Sequence, residues 1–359
     1  MKRLLTATLL TATLAGSAQT DVRPYLPGTS QEGITYCLTK TAVRAVVQVE
    51  KTAYTPGELA HYAGKYLNRS DVQTSPHTAF RIVSAKLSPF GMADTTKMFV
   101  VRLNPKTAAT NVAKADDGRL LAINAEPEKE QELRPFVKGE RQEQPDVRKY
   151  MTEEMTNAGT SAKRAELAAI EIFDIRDSKN QLNRGQADFM PKDGEQLRIM
   201  LDNLNRQELA LTQLFEGTTS KDTTEYVFTF CPATDTTRTV LFRFSERWGM
   251  TDAEDYSGQP FFLNVENMKA LPVPVVPADK KKKKTQHNPN ALYVNMPGRM
   301  HVTLTDISGR RLAGQDFNAG QFGNVDMLSS ELFNKKFTTH ITFDPIAGGI
   351  LHIEAEQPK

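Results

Sequence analysis

Two stretches of the chain repeat their apolar residues at the spacing of an amphipathic helix, and strand-like segments lie on both sides of them. The first stretch runs from Ser161 to about Leu182. The second follows Asp193–Gln196, which has the residue types of a helix-capping box, and Gly217 is well placed to end it. Because two helices with a short connector usually pack antiparallel, the pattern predicts a helical hairpin at the centre of the chain.

The segments on either side have the composition of β-strands. From Ile34 to Lys51 the chain is rich in β-branched residues, and Thr55–Glu58 then carries the signals of a helix start. After Gly217 the strand pattern returns and continues almost to the end. We therefore predict an α+β fold. It comprises an N-terminal mixed strand/helix domain, a central antiparallel helical hairpin and a C-terminal β-rich domain, either a sandwich or open-barrel-like.

The predicted domain boundaries follow changes in composition. A polar excursion at 126–148 ends the N-terminal part, and a Pro/Lys-rich loop at 272–290 interrupts the C-terminal part. The predicted units are a signal peptide at 1–18, the N-terminal α+β domain at 19–148, the hairpin at 149–217 and the β-rich domain at 218–359.

The first eighteen residues have the three parts of a secretory signal peptide. Met1–Arg3 is positively charged, Leu4–Leu14 is apolar apart from threonine, and Ala15–Ala18 supplies small residues for a peptidase. We predict cleavage near Ala18 and export to the periplasm, the outer membrane or the cell exterior. No cysteine lies at the cleavage site, so no lipid anchor is expected. No later segment has the roughly 20 apolar residues of a transmembrane helix.

Charge excludes one class of partner and suggests another. Without Lys2 and Arg3, the 45 basic residues fall to the number of acidic ones, 43, which disfavours a nucleic-acid binder. Basic charge is instead concentrated in one run. This run could hold an anionic surface such as lipid phosphate or acidic glycan, or it could be a solvated loop. Its members are Lys280, Lys281, Lys282, Lys283 and Lys284.

The two cysteines of the chain are a candidate disulfide. Cys37 and Cys231 are the only cysteines, and in an exported protein they could form a disulfide or remain two separate buried thiols.

Near the C-terminus, pairing Phe343 with Leu351 and Ile341 with Ile353 in a hairpin would match apolar faces. That register puts His340 opposite Glu354 with His352 beside it, which is either a weak Zn²⁺ site or an ordinary polar face.

Catalytic and cofactor motifs are not found in the sequence. It has no G-x-S-x-G elbow, no phosphate loop and no G-x-G-x-x-G fingerprint, so no catalytic residue and no cofactor is predicted. Carboxylates that meet only in the folded chain could still form a glycosidase-type site.

Several short segments resemble an uncharacterised family of exported Bacteroidetes proteins of about this length. The resemblance rests on Gly33–Tyr36, Tyr54–Ala60, Asp174–Arg176, Met190–Glu195 and Phe343–Pro345, together with the glycines at 348 and 349. It extends over nearly the whole chain after the signal segment. This is a family of unknown function, so the resemblance implies no activity and supplies no site residues.

These observations favour an exported, non-enzymatic envelope protein that acts by binding or scaffolding, with another envelope protein or a glycan as its partner. One alternative is a secreted hydrolase of glycan or peptide that uses dispersed carboxylates. A third is the binding of an anionic polymer through Lys280–Lys284.

Overall fold

A computed structural model describes residues 21–27, 33–102, 111–130, 132–139, 144–188, 190–191, 193–271, 292–328, 332 and 338–356. The described strands are β1 (Asp21–Pro24), β2 (Ile34–Thr55), β3 (His77–Arg102), β4 (Val112–Lys114), β5 (Leu120–Ile123), β6 (Thr218–Phe230), β7 (Thr236–Ser245), β8 (Gly249–Thr251), β9 (Gln259–Asn267), β10 (Leu292–Thr305), β11 (Arg311–Leu328), β12 (Thr338–Phe343) and β13 (Ile350–Glu356). The helices are α1 (Ala63–Tyr66), α2 (Glu153–Thr156), α3 (Ser161–Arg184) and α4 (Gly194–Glu216), with one-turn 3-10 helices at Ala60–Tyr62 and Val147–Tyr150.

The described strands form three antiparallel sheets. The first has the order β1-β3-β2-β6, the second β11-β10-β9-β7-β8 and the third β13-β12-β5-β4. The first sheet therefore joins strands from both sides of the helices, and so does the third.

Strand β2 connects the packed layers because its successive parts face different neighbours. Tyr36 and Leu38 pack against the third sheet in a cluster with Ile341 and Phe343. Further along, alternate residues turn to the second sheet, as the two-residue period of a strand requires. Val43 and Ala45 pack in a cluster with Leu263, Val265, Met300 and Val302. Val47 and Val49 pack in a cluster with Phe242, Phe261 and Leu304.

The helices form a separate layer against the far end of the first sheet. The hydroxyl of Thr160 accepts the Lys163 backbone N–H at 3.2 Å, and the Asp193 carboxylate accepts that of Gln196 at 2.8 Å. These side chains cap α3 and α4, since the first backbone donors of a helix lack internal partners. Leu59 and Ala63, from the β2–β3 connection, complete the helical core, which includes Ile172, Leu211 and Phe215.

The predicted α+β fold with a helical hairpin domain is wrong. Strands take up 48% of the described residues and helices 22%, and one of the three sheets is a half-barrel. Both long helices occur close to the predicted bounds, but α4 continues through Gly217 into β6, which pairs with β2 along its whole length. Helical spacing revealed the two elements but not this long-range pairing, which fuses the helical layer to the sheet.

Among the described residues, no helix combines the length and the apolar character needed to cross a bilayer.

The junction of α4 and β6 requires glycine, and a substitution should show it. Gly217 has φ +76° and ψ −167°, a region open essentially to glycine alone, and an added Cβ would lie 2.2 Å from the Thr55 carbonyl oxygen. We expect Gly217→Ala to lower the free energy of unfolding by about 3 kcal/mol or more. Urea denaturation would measure the change.

Gly185 provides the matched control because it has φ +69° at the end of α3 but open space around its Cβ position. Gly185→Ala should lower the free energy of unfolding by only about 1 kcal/mol, because only the left-handed backbone conformation is then unfavourable. Equal losses for the two variants would contradict the role assigned to the close contact at Gly217.

Candidate ligand-binding site

A cleft of about 780 Å³ lies where turns of the second sheet meet the start of β3. The surrounding segments are the tip of the β7–β8 hairpin, the loop between β8 and β9, and the β10–β11 turn. We call it the arginine–aromatic cleft. It is lined by Phe80, Arg81, Ile82, Phe244, Ser245, Glu246, Arg247, Ser257, Gln259, Phe261, Asp306 and Arg310.

The base of the cleft is fixed by packing between the first and second sheets. The Phe80 backbone N–H donates to the Glu246 carbonyl at 2.7 Å, which ties the start of β3 to the hairpin tip. The Phe80 ring lies against Gly249, where an added Cβ would come within 2.9 Å of the ring. Gly249 also has φ +80°, so both its space and its backbone exclude other residues. Phe244 and Phe261 lie behind and are buried.

Two exposed aromatic side chains occupy the loops at the rim. Trp248, at the hairpin tip, is 63% exposed, and Tyr256, in the β8–β9 loop, is 86% exposed. Tryptophan is highly buried on average, so an exposed tryptophan is informative. Each is next in sequence to a residue that lines the cleft, namely Arg247 and Ser257.

The loop that carries Tyr256 is held from below by Arg243 on β7. The Arg243 guanidinium donates to the Ala253 carbonyl at 2.7 Å and the Gly258 carbonyl at 3.1 Å. It also lies 4.5 Å from the centre of the Tyr256 ring, a cation–π distance. Arg243 thus positions the tyrosine while leaving most of its surface in solvent.

Three arginines give the cleft its donors. Arg81 pairs with Glu50 at 2.9 Å, and Arg310 pairs with Asp306 at 3.1 Å. Arg247 makes no ion pair with any described residue, and its guanidinium lies 5.2 Å from the Trp248 ring centre. Guanidinium groups present several N–H donors in a fixed plane, which suits paired oxygen acceptors on a ligand.

The β10–β11 turn is organised by Asp306. Its carboxylate accepts the Ser308 hydroxyl at 2.6 Å and the backbone N–H groups of Ser308 and Arg310, both at 2.9 Å. These bonds, the Ser308 hydroxyl foremost, lower the pKa of Asp306 below its ordinary value. The turn is therefore preorganised around an ionised carboxylate.

The predicted histidine cluster is only partly assembled. His340 pairs with Glu354 and Ile341 with Ile353, as predicted, but a bulge pairs Phe343 with Ile350 instead of Leu351. The His340 ring bonds to the Asn124 carbonyl through Nδ1, and His352 contacts Glu354 at 3.4 Å. Within the described ranges, no three His, Cys, Asp or Glu side chains come together as a metal site.

The two cysteines are not brought together. Cys37 is buried in β2, Cys231 is exposed after β6, and both are free. The Cys231 Sγ contacts the Thr41 carbonyl oxygen at 3.9 Å, and Thr41 lies four positions along β2 from Cys37. At about 3.3 Å per residue this separation is about 13 Å, well beyond the roughly 7 Å limit for a disulfide. The Cys37–Cys231 disulfide considered from sequence is therefore not formed.

Other predicted features fall elsewhere. The signal segment and Lys280–Lys284 lie outside the described residues.

The dispersed carboxylates of the hydrolase alternative can be compared by their pKa values. In the described part of the chain, every Asp or Glu with a shifted pKa is shifted downward and so stays ionised near neutral pH. These are Asp71, Glu195, Glu208, Asp255 and Asp306.

A second cavity of about 560 Å³ lies between the helical layer and the first sheet. Of its two arginines, Arg164 pairs with Glu58 at 2.5 Å and also donates to the Met155 carbonyl, whereas Arg148 makes no ion pair with any described residue. The arginine–aromatic cleft has three guanidinium groups in its lining and an exposed aromatic ring on each of two adjoining loops, so it is the stronger candidate.

Sequence reasoning missed this cleft. The only tryptophan of the chain lies in the turn segment Ser245–Gly249, and Tyr256 lies in a second turn segment, Asp252–Ser257. Aromatic residues within two closely spaced turn segments were the available signal, because turn residues are usually exposed.

The chain belongs to the family described as Domain of unknown function (DUF4831), which matches residues 32–351. Comparison with curated proteins found no match, and comparison with solved structures found none either.

The Asp306 turn yields a prediction about pH. Ser308→Ala removes the largest cause of the lowered pKa, so we expect the Asp306 pKa to rise towards its ordinary value. A lowered folded-state pKa adds stability above the unfolded pKa of about 3.9 that is lost as pH falls through the folded pKa. The variant should lose this contribution at a higher pH than the parent protein. NMR titration of the carboxyl carbons would measure the shift.

Ser257→Ala is the control, because Ser257 lowers the pKa of Asp255 instead. It should move the Asp255 titration and leave that of Asp306 in place. An unchanged Asp306 pKa in Ser308→Ala would contradict the assignment.

Proposed function

We propose that this member of the family is an exported, non-enzymatic protein of a Bacteroidetes-type cell envelope that binds a glycan in the arginine–aromatic cleft. One observation carries the proposal. Trp248 and Tyr256 stand exposed on two loops whose adjacent residues, Arg247 and Ser257, line a concave cleft. The four apolar clusters of the described chain include neither ring.

The chemistry of the cleft suits a sugar chain. The faces of an aromatic ring can stack on the C–H groups of a pyranose, while its edges stay in water. Sugar hydroxyls offer paired donors and acceptors, which match the guanidinium of Arg247, the amide of Gln259 and the carboxylate of Glu246. The volume of about 780 Å³ falls in the range of about 300–1,000 Å³ for ligand pockets. A short oligosaccharide would therefore fill the cleft.

The shape of the cleft favours a glycan over a protein as the partner. Protein interfaces, too, are enriched in tryptophan, tyrosine and arginine, but they need a broad and flat contact surface. Here the loops that carry the two rings also contribute lining residues to a concavity with charged and amide side chains, which favours a narrow polar chain over a second globular surface.

Location in the envelope follows from the first eighteen residues, whose charge, apolar core and small-residue end have the pattern of a cleaved signal. We place the mature chain in the periplasm or at the outer membrane. The hydrolase alternative and the anionic-polymer alternative stay predictions, the latter because Lys280–Lys284 lie outside the described residues.

Export can be tested directly. We expect the protein from an envelope fraction to begin near Gln19, measured by intact mass spectrometry. Leu10→Arg places a charge in the apolar segment and should leave the full-length chain inside the cell, since the signal depends on that apolar run. Leu209→Arg, at an exposed position on α4, is the control and should be processed normally. A secreted chain that retains Met1 would contradict the proposal.

Glycan binding can be tested with two solid probes, insoluble peptidoglycan and agarose-coupled O-polysaccharide from a Bacteroidetes envelope. An aromatic contact contributes about 0.5–1.5 kcal/mol, or about two- to tenfold in affinity. We therefore expect Trp248→Ala and Tyr256→Ala each to weaken retention on the bound probe by that factor, and the double variant by up to about a hundredfold.

Phe173→Ala is the matched control. Phe173 is likewise exposed, and its ring lies 5.7 Å from an arginine, but it is on α3, far from the cleft in the fold. Retention should be unchanged in this variant. Absence of retention on both probes, or equal retention by the double variant and the parent protein, would overturn the proposal.

A further inference from the structure

Among the described strands, β13 is an edge of the third sheet. All seven of its residues are exposed, whereas residues of its neighbour β12 alternate between half-buried and buried. Among the described strands only β12 pairs with it. Three of the exposed side chains are large and apolar, each at least 37% exposed, namely Ile350, Leu351 and Ile353. An exposed edge of this kind, with unpaired backbone groups beside apolar side chains, is a template for another strand.

The two faces of β13 differ in chemistry. Ile353 and Ala355 pair with Ile341 and Thr339, which are buried against the core, so they share the apolar face of the sheet. His352 and Glu354 lie on the opposite face, together with Glu356. A strand that extends this sheet must match both faces at once.

A second copy of β13 does so in one register. Antiparallel pairing of residues 350–356 with themselves is centred on Ile353, and it is the register that pairs all seven residues. Ile353 then meets Ile353, and Leu351 meets Ala355, which continues the apolar face. On the other face His352 meets Glu354 of the second copy, and the two-fold symmetry makes this pair twice.

Neighbouring registers lose the two His352–Glu354 pairs. A register centred on His352 places the two copies of His352 opposite each other, and one centred on Glu354 does the same with two carboxylates. A slip by one residue would instead set the apolar face against the charged face. The five central positions of β13, residues 351–355, are therefore complementary to themselves in the register centred on Ile353, and only the terminal pair sets Ile350 opposite Glu356.

We propose that β13 pairs with β13 of a second copy of this chain about a two-fold axis at Ile353. The two four-stranded sheets then become one continuous sheet. The inference is independent of glycan binding, because β13 and the cleft belong to different sheets. Seven paired residues span only about 24 Å, so the interface is at the small end of specific contacts and the dimer dissociates on dilution.

Sedimentation velocity over a wide concentration range would measure this association. His352→Glu puts a carboxylate opposite Glu354 of the second copy, and the double variant His352→Lys with Glu354→Lys puts two ammonium groups in the same places. Each variant alone should self-associate about tenfold more weakly than the parent protein. An equimolar mixture of the two variants should regain the dimer, since opposite charges then meet at both positions.

His61→Glu makes the same charge change at an exposed histidine outside β13 and should leave the dimer intact. Thermal unfolding would confirm that all variants fold. A parent protein that stays monomeric at every concentration, variants that dimerise like the parent, or a mixture that stays monomeric would each overturn the proposal.

Discussion

Strand β2 supplies backbone hydrogen bonds to β3 along almost its whole length and to β6 from Val43 onward. Because β2 continues as one strand over 22 residues, its side chains reach three different layers in turn. Tyr36 packs on the third sheet, Val43 and Val47 pack on the second, and Leu59 just beyond the strand enters the helical core. The layers are thus positioned by one element, and a break in it would separate them.

Buried polar side chains fix the place where the sheets meet along β2. The Asn295 amide donates to the Thr39 carbonyl at 2.5 Å and to the Ala347 carbonyl at 3.2 Å. Gln321 accepts the Thr41 backbone N–H and donates to the Thr41 carbonyl, at 2.8 and 2.7 Å. Because unpaired polar groups are costly inside a protein, these bonds select one alignment of β10, β11 and the β12–β13 turn on β2.

Local chemistry was predictable from the sequence, and distant pairing was not. The caps at Asp193 and Gly217 and the pairing of Ile341 with Ile353 follow from near neighbours, and each is found. The strand Thr218–Phe230 begins with the polar run Thr218–Thr224, which lacks the alternation of a half-buried strand. It is a strand because β2 offers it partners nearly 170 residues away in sequence. No periodicity within a segment reports such a partner, so the sequence pattern predicts a separate helical domain.

The cleft could not be predicted from the sequence for the same reason, because its lining residues come from separate segments of the chain: β3, β7, β9 and the β10–β11 turn. The exposed aromatic side chains on the loops around the cleft, however, are not explained by core packing. A tryptophan that served packing would be buried, but Trp248 keeps most of its surface in water while Ser245 accepts its backbone N–H and shapes the turn beneath it. Arg243 likewise contributes two hydrogen bonds to a loop whose tyrosine touches no apolar cluster of the described chain. Rigid support beneath exposed rings is what a binding surface needs, because rings ordered in advance lose little entropy when a ligand stacks on them.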